Sequence, residues 1–204
     1  MELGMLFLLG FTTALIPGPD ILFVLRNTLS LGFKQGFLGF LGIFSGWLVF
    51  LSLIYFGFSS FIQGDIIQAS LSFIGGIYLI YISYELFRKK KNQINFTQKK
   101  QKNILLYFKG LFINLSNPKA ILFFATIISP FMQDNLENSF LVLLSSLSLA
   151  FIFVIFLATF FRRFINNSLF DKIDKVCSII FLGFGSWLFY LGLKGFFYSI
   201  NIGF

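Results

Sequence analysis

Histidine is absent from this chain of 204 residues, and cysteine occurs once, as Cys177. A lone cysteine cannot close an internal disulfide. With one thiol and no imidazole, the usual ligands of zinc and copper are missing, so no metal site is expected. The commonest acid–base catalyst is missing too, and no nucleophile motif stands in for it. An enzyme is therefore disfavoured, and nothing calls for a cofactor. Charge is scarce as well. Only 12% of residues are charged, against roughly 25% in an ordinary soluble domain. So few charges cannot cover the surface of a soluble fold. No basic residue precedes Arg26, so the start, Met1-Glu2-Leu3, lacks the basic region of a signal peptide. The first apolar segment is expected to be retained.

Apolar residues fill the space that charge leaves. They make up 57% of the chain, phenylalanine alone occurs 33 times, and mean hydropathy is +0.86. This is the composition of an integral membrane protein. A helix that crosses the hydrocarbon core needs roughly 20 mostly apolar residues. Six segments fit: about Leu3 to Leu25, Phe37 to Ser60, Ile66 to Tyr84, Gly110 to Phe131, a stretch within Asn138 to Phe161, and Val176 to Leu193. No alternating pattern suggests a barrel. The expected fold is all-α and polytopic, a single transmembrane domain over residues 1–204.

Lys and Arg fall on alternate links. Arg26 and Lys34 follow the first span, Arg88 to Lys109 hold eight more after the third, and Arg162, Arg163, Lys172 and Lys175 follow the fifth. The opposite links carry Asp65, Asp134 and Glu137 and no basic residue. Basic links stay inside, which puts both termini outside. The net charge of +8 therefore faces anionic lipid headgroups and the cytoplasm. The loop 88–109 has too few interleaved aromatics for a stacking platform, so it reads as a solvated linker, and nucleic acid is not an expected partner.

Two spans are interrupted. The first contains Leu15-Ile16-Pro17-Gly18-Pro19-Asp20-Ile21-Leu22-Phe23, and the fourth contains Asn117-Pro118-Lys119. Proline removes an amide donor and clashes with the preceding turn. In lipid, broken helices are tolerated only inside protein or beside an aqueous cavity. The breaks correspond: Pro19-Asp20-Ile21-Leu22-Phe23 and Pro118-Lys119-Ala120-Ile121-Leu122-Phe123 each give a proline, a charge and an apolar run. The ends of the halves also match, with Gly76-Ile77-Tyr78-Leu79-Ile80-Tyr81 lying over Gly185-Ser186-Trp187-Leu188-Phe189-Tyr190. Three spans per half invert the second copy. The expectation is two inverted three-helix repeats, about 3–87 and 110–196, joined by the basic loop. This is an arrangement of many secondary transporters.

Exposed peptide groups at such breaks suit a zwitterion, because amides at a helix start attract a carboxylate and freed carbonyls attract a cation. Asp20 and Lys119 follow the two breaks and are expected near each other, since a charge at membrane depth needs a partner or water. Three roles are open: an ion pair holding the broken helices, alternation between each other and substrate or proton, or snorkelling to separate interfaces. Asp20 is the carboxylate that lies clearly within an expected span, which makes it the candidate proton carrier. Thr12 and Thr13 precede the first break; Asn114, Ser116 and Asn117 precede the second. They satisfy orphaned backbone groups or contact substrate. Gly36, Gly39, Gly42 and Gly46 form a small face for close helix packing.

These motifs together give the chain a family likeness. It resembles the lysine-exporter-type (LysE/RhtB) translocators in Pro17-Gly18-Pro19-Asp20, in Gly42 with Gly46, in Gly76-Ile77-Tyr78-Leu79, and most specifically in Gly110-Leu111-Phe112-Ile113-Asn114-Leu115-Ser116-Asn117-Pro118-Lys119-Ala120. The likeness runs from about residue 5 to 195. It implies a bacterial inner-membrane protein that exports amino acids or related small solutes, driven by the proton gradient. The family's signature positions fall on Pro17, Gly18, Pro19, Asp20, Asn114, Asn117, Pro118 and Lys119. With Thr13 they are the expected site and its helix breaks. The partners expected are a small-molecule substrate and membrane lipid, and a homodimer is common among inverted-repeat carriers. Export of another solute or cation, or a non-transporting accessory role, remains the alternative.

Overall fold

The computed structural model describes residues 2–56, 65–88, 103–124, 136–164 and 167–202. Among them are eight α-helices: α1 (Glu2–Leu15), α2 (Pro19–Leu31), α3 (Phe33–Tyr55), α4 (Asp65–Arg88), α5 (Asn103–Leu115), α6 (Pro118–Leu122), α7 (Leu136–Phe161) and α8 (Asn167–Ile202). A 3-10 turn, Arg162–Phe164, follows α7. The basic residues of 89–102 and the expected end of the fourth span, 125–131, lie outside the described residues.

Composition and length make Phe33–Tyr55, Glu137–Phe164 and Asp171–Phe197 able to cross a bilayer; α1 and α2 together pass the same test, bent by 61° at their junction. The bend has a local cause. Pro17 cannot donate to the turn before it. Gly18 is extended at φ −154°, and Pro19 opens α2 at its first position, where a missing N–H does no harm. Asp20 then sits in the first turn, on the positive end of the helix dipole. Most helices extend beyond their expected apolar windows, two of them by seven residues or more. α5 starts at Asn103 rather than near Gly110, and α8 at Asn167 rather than near Val176. Hydropathy marks where lipid begins, whereas backbone hydrogen bonding continues past that level.

One apolar core joins all the long helices. Phe40, Trp47 and Phe151 form an aromatic cluster with ring centroids 5.2–6.0 Å apart, and Phe50 stacks on Phe124 at 5.4 Å. Large apolar side chains such as Leu8, Leu141, Phe156 and Ile179 face outward, as lipid contact requires. The glycine face of α3 packs as its spacing suggests. A Cβ on Gly36 or Gly39 would run into Thr28 or Phe23 of α2, and one on Gly42 would collide with the Tyr107 carbonyl of α5. The backbones of α3 and α5 are in direct contact there.

The packing partners are repeated between the halves. α5 lies along α3, and α1 lies along α7. The most extensive pairing joins α4 to α8, the helices that carry the matching Gly-x-x-Leu tracts. Their aligned glycines face each other: a Cβ on Gly76 would meet the Gly185 carbonyl at 2.8 Å, and one on Gly185 the Gly76 carbonyl at 3.0 Å. Away from that crossing Phe73 stacks on Phe189 at 5.0 Å. On the other side, the Ser83 and Ser178 hydroxyls each donate to the other's backbone carbonyl, at 2.8 and 2.9 Å.

A second buried carboxylate appears that the hydropathy reading missed. Asp174 of α8 is 8% exposed, so Asp20 is not alone in this respect. Arg26 of α2 donates to both of its carboxylate oxygens, through Nε at 2.7 Å and Nη2 at 3.0 Å. The fork geometry of arginine fits a carboxylate in this way. The pair ties the end of the broken first span to the last helix.

Candidate functional site

The site forms where the two breaks meet. α1 ends at Leu15, and the amide of Ile16 still reaches Thr12 and Thr13 carbonyls. The last carbonyls of a helix have no partner within it and carry partial negative charge. Lys119, at the start of α6, supplies the cation. Its Nζ donates to the Thr13 carbonyl at 2.6 Å and to the Ile16 carbonyl at 2.8 Å. Asn117 caps α6 by accepting the Lys119 amide on Oδ1 at 3.0 Å, which holds Lys119 at the mouth of the break.

Asp20 makes the reciprocal contact. It reaches toward the end of α5, the first half-helix of the second break. A carboxylate is repelled by carbonyl ends, so it cannot cap them as Lys119 does. Asn114, next to last in α5, provides a donor instead: its Nδ2 bonds Asp20 Oδ2 at 2.7 Å. Each charge thus serves the broken helix of the opposite half, and asparagine changes the sign of the contact where the charge is negative. Gly46 of α3 leaves the room for this amide, because a Cβ there would collide with it.

Asp20 and Lys119 do not form a direct ion pair; the described ion pairs are Arg26–Asp174 and Lys109–Glu85. They share the lining of one open cavity. Thr13, Ile16, Gly18, Asp20, Asn117 and Lys119, all at the two breaks, belong to that lining. The Asn117 side chain lies close to the Asp20 carboxylate, whose Oδ1 is buried and has no hydrogen-bond partner within 3.5 Å among the described residues. Asn114 does not line the cavity and reaches it only through Asp20. The Thr12 hydroxyl returns to its own helix, bonding the Leu8 carbonyl at 2.6 Å, and takes no part. Pro17, Pro19 and Pro118 act through the backbone by creating the helix ends. Among the described residues no cluster of His, Cys, Asp and Glu could hold a metal ion.

The rest of the lining carries no signal in the sequence. Trp47 and Phe151, with Phe123, Phe124 and Leu147, close the cavity with apolar surface. Nothing in a membrane helix distinguishes a phenylalanine that faces a cavity from one that faces lipid, and 33 of them hide the few that matter.

Comparison with known proteins agrees with this architecture. The family description "LysE type translocator" matches residues 11–192. The chain is 30% identical over 189 residues to "Uncharacterized membrane protein YrhP" of Bacillus subtilis (strain 168), covering 84% of this chain and 90% of that one. It is 29% identical over 194 residues to "Leucine efflux protein" of Enterobacter sp. (strain 638), covering 88% and 90%. It is 32% identical over 129 residues to "Threonine efflux protein" of Escherichia coli (strain K12), covering 60% and 63%. No solved structure matches. With the family match running through both breaks and every long helix, the chain belongs to the LysE type translocators, multi-pass bacterial membrane exporters of small solutes rather than enzymes.

Proposed function

We propose that this protein exports amino acids across the bacterial inner membrane in exchange for protons, with Asp20 and Lys119 as the two poles of the substrate site. The observation that carries this is that Asp20 and Lys119, each held at a helix break, line one cavity without pairing with each other, and that one Asp20 oxygen, Oδ1, is left without a hydrogen-bond partner. An ammonium group has three donors. Lys119 spends two on the Thr13 and Ile16 carbonyls, which leaves one for a substrate carboxylate. The substrate's own ammonium then bonds Asp20 Oδ1. Asn114 holds the other oxygen and orients the carboxylate, and Asn117 and Thr13 complete the polar rim. The names of the leucine and threonine efflux relatives support this class of substrate.

Coupling follows from competition. A proton and an ammonium group bind the same carboxylate, so protonation of Asp20 discharges the substrate. A proton arriving from outside therefore drives release outside, and its loss inside restores the site. The remaining elements of the proposal are topological. The chain is one membrane domain of six spans in two inverted halves, about 3–87 and 110–196, with both termini outside. The exchanged helix contacts, α1 on α7 and α5 on α3, support the inversion.

The test is efflux from proteoliposomes loaded with labelled amino acids under an imposed pH gradient. Wild type is expected to accelerate efflux when the outside is acidic. Asp20→Asn and Lys119→Met are each expected to abolish that acceleration. Unchanged gradient-driven efflux in either variant would reject the assignment.

A further inference from the structure

We infer that the substrates of this exporter are neutral amino acids with bulky apolar side chains, selected by an aromatic wall beside the charged pole. The inference rests on the amino-acid reading above and asks what the rest of the cavity accepts. Every polar lining group, Asp20, Lys119, Asn117 and Thr13, gathers at the helix breaks. These serve the part that all amino acids share. The remaining surface, which must meet the side chain, comes from Trp47, Phe151, Phe123, Phe124, Leu147 and Ile21. It offers no second charge and no hydroxyl.

That wall is held in place by its own packing. Trp47 meets Phe151 edge to face at 5.2 Å, Phe123 meets Phe124 at 5.3 Å, and Phe124 stacks on Phe50 of α3 at 5.4 Å. Trp47, Phe124 and Phe151 are each no more than 3% exposed, so the rings cannot swing aside for a polar group without opening the core. A basic side chain would bring a second cation into a cavity with one carboxylate and Lys119 already present. An acidic one would compete with the substrate's own carboxylate for Lys119. The one polar group on these rings, the indole N–H of Trp47, is a donor only, so a hydroxyl buried there would find no acceptor for its own proton. An apolar side chain gains from each methylene it buries, and in an apolar pocket one methylene is worth roughly 10-fold or more in specificity.

The experiment compares gradient-driven efflux of leucine, phenylalanine, threonine, lysine and glutamate from proteoliposomes that contain the unmodified protein. Leucine or phenylalanine is expected to leave about 10-fold faster than threonine at equal loading, with lysine and glutamate at background. Threonine, lysine or glutamate matching the apolar pair would overturn the inference while leaving amino-acid export intact. Gradient-driven movement of none of the five would overturn both. A Trp47→Phe variant, which keeps an aromatic ring but enlarges the cavity, is expected to raise the phenylalanine-to-leucine KM preference several-fold and retain the pH response. An unchanged ratio in a folded variant would remove Trp47 from the selecting wall.

Discussion

The Arg26–Asp174 pair gives a quantitative test of how the broken first span is anchored. Both side chains are only 11–12% exposed, so the pair is a buried one. Removing one partner of a buried pair costs about 3–5 kcal/mol, because the other charge stays in place, whereas replacing both with apolar groups is often neutral. An exposed pair would be worth about 0–1 kcal/mol. The chain carries its own reporter. Cys177 is the single cysteine, is 2% exposed, and stands one helical turn from Asp174 on α8. A thiol-reactive dye therefore labels it only when that interface opens. A loss of 3 kcal/mol raises the open population roughly 100-fold, since 1.4 kcal/mol is tenfold. Asp174→Ala is expected to speed Cys177 labelling in detergent by about that factor. The double variant Arg26→Met, Asp174→Leu is expected to return within roughly 10-fold of wild type. If Asp174→Ala labels less than about 5-fold faster, the pair behaves as a solvated one and the anchoring argument fails.

Three further outcomes follow from other contacts. Asn114→Ala removes the donor that orients Asp20, and gradient-driven efflux in proteoliposomes should fall at least about 10-fold, in keeping with loss of a positioning hydrogen bond to a charged group; near-normal rates would mean that Asp20 needs no such support. Gly42→Ala forces a Cβ into the Tyr107 carbonyl and should destabilise the protein by about 1–3 kcal/mol, lowering the temperature at which Cys177 becomes reactive. Gly183→Ala, with nothing within 4 Å of the new methyl, should shift it by no more than about 0.5 kcal/mol. For the orientation, an impermeant thiol reagent added outside should label a cysteine placed at Asp65 and spare one at Lys99; the reverse pattern would invert the topology.

Much of the architecture is readable along the chain because its causes are local. Scarce charge and long apolar runs dictate lipid as the solvent. Pro17-Gly18-Pro19 and Asn117-Pro118 interrupt helices wherever they occur, and both interruptions stand where expected. The glycines of α3 announce a close approach, although not that α2 and α5 are the helices approaching. Ser83 and Ser178, by contrast, carry no recognisable signal, since serines in apolar helices commonly bond their own backbone, as Ser45 and Ser52 do here.

Which charge meets which partner is a different matter. Lys119 and Asp20 read naturally as an ion pair, yet Lys119 goes to the carbonyl end of α1 and Asp20 to the Asn114 amide. Arg26 finds its carboxylate 148 positions away. Residue types and their spacing establish the membrane class, the breaks and the set of polar groups near them, since each depends on a few bonded neighbours. Pairing among those groups, and the choice of a handful of aromatic rings as a cavity wall, depends on how helices distant in sequence are set against one another, and only their packing in three dimensions decides it.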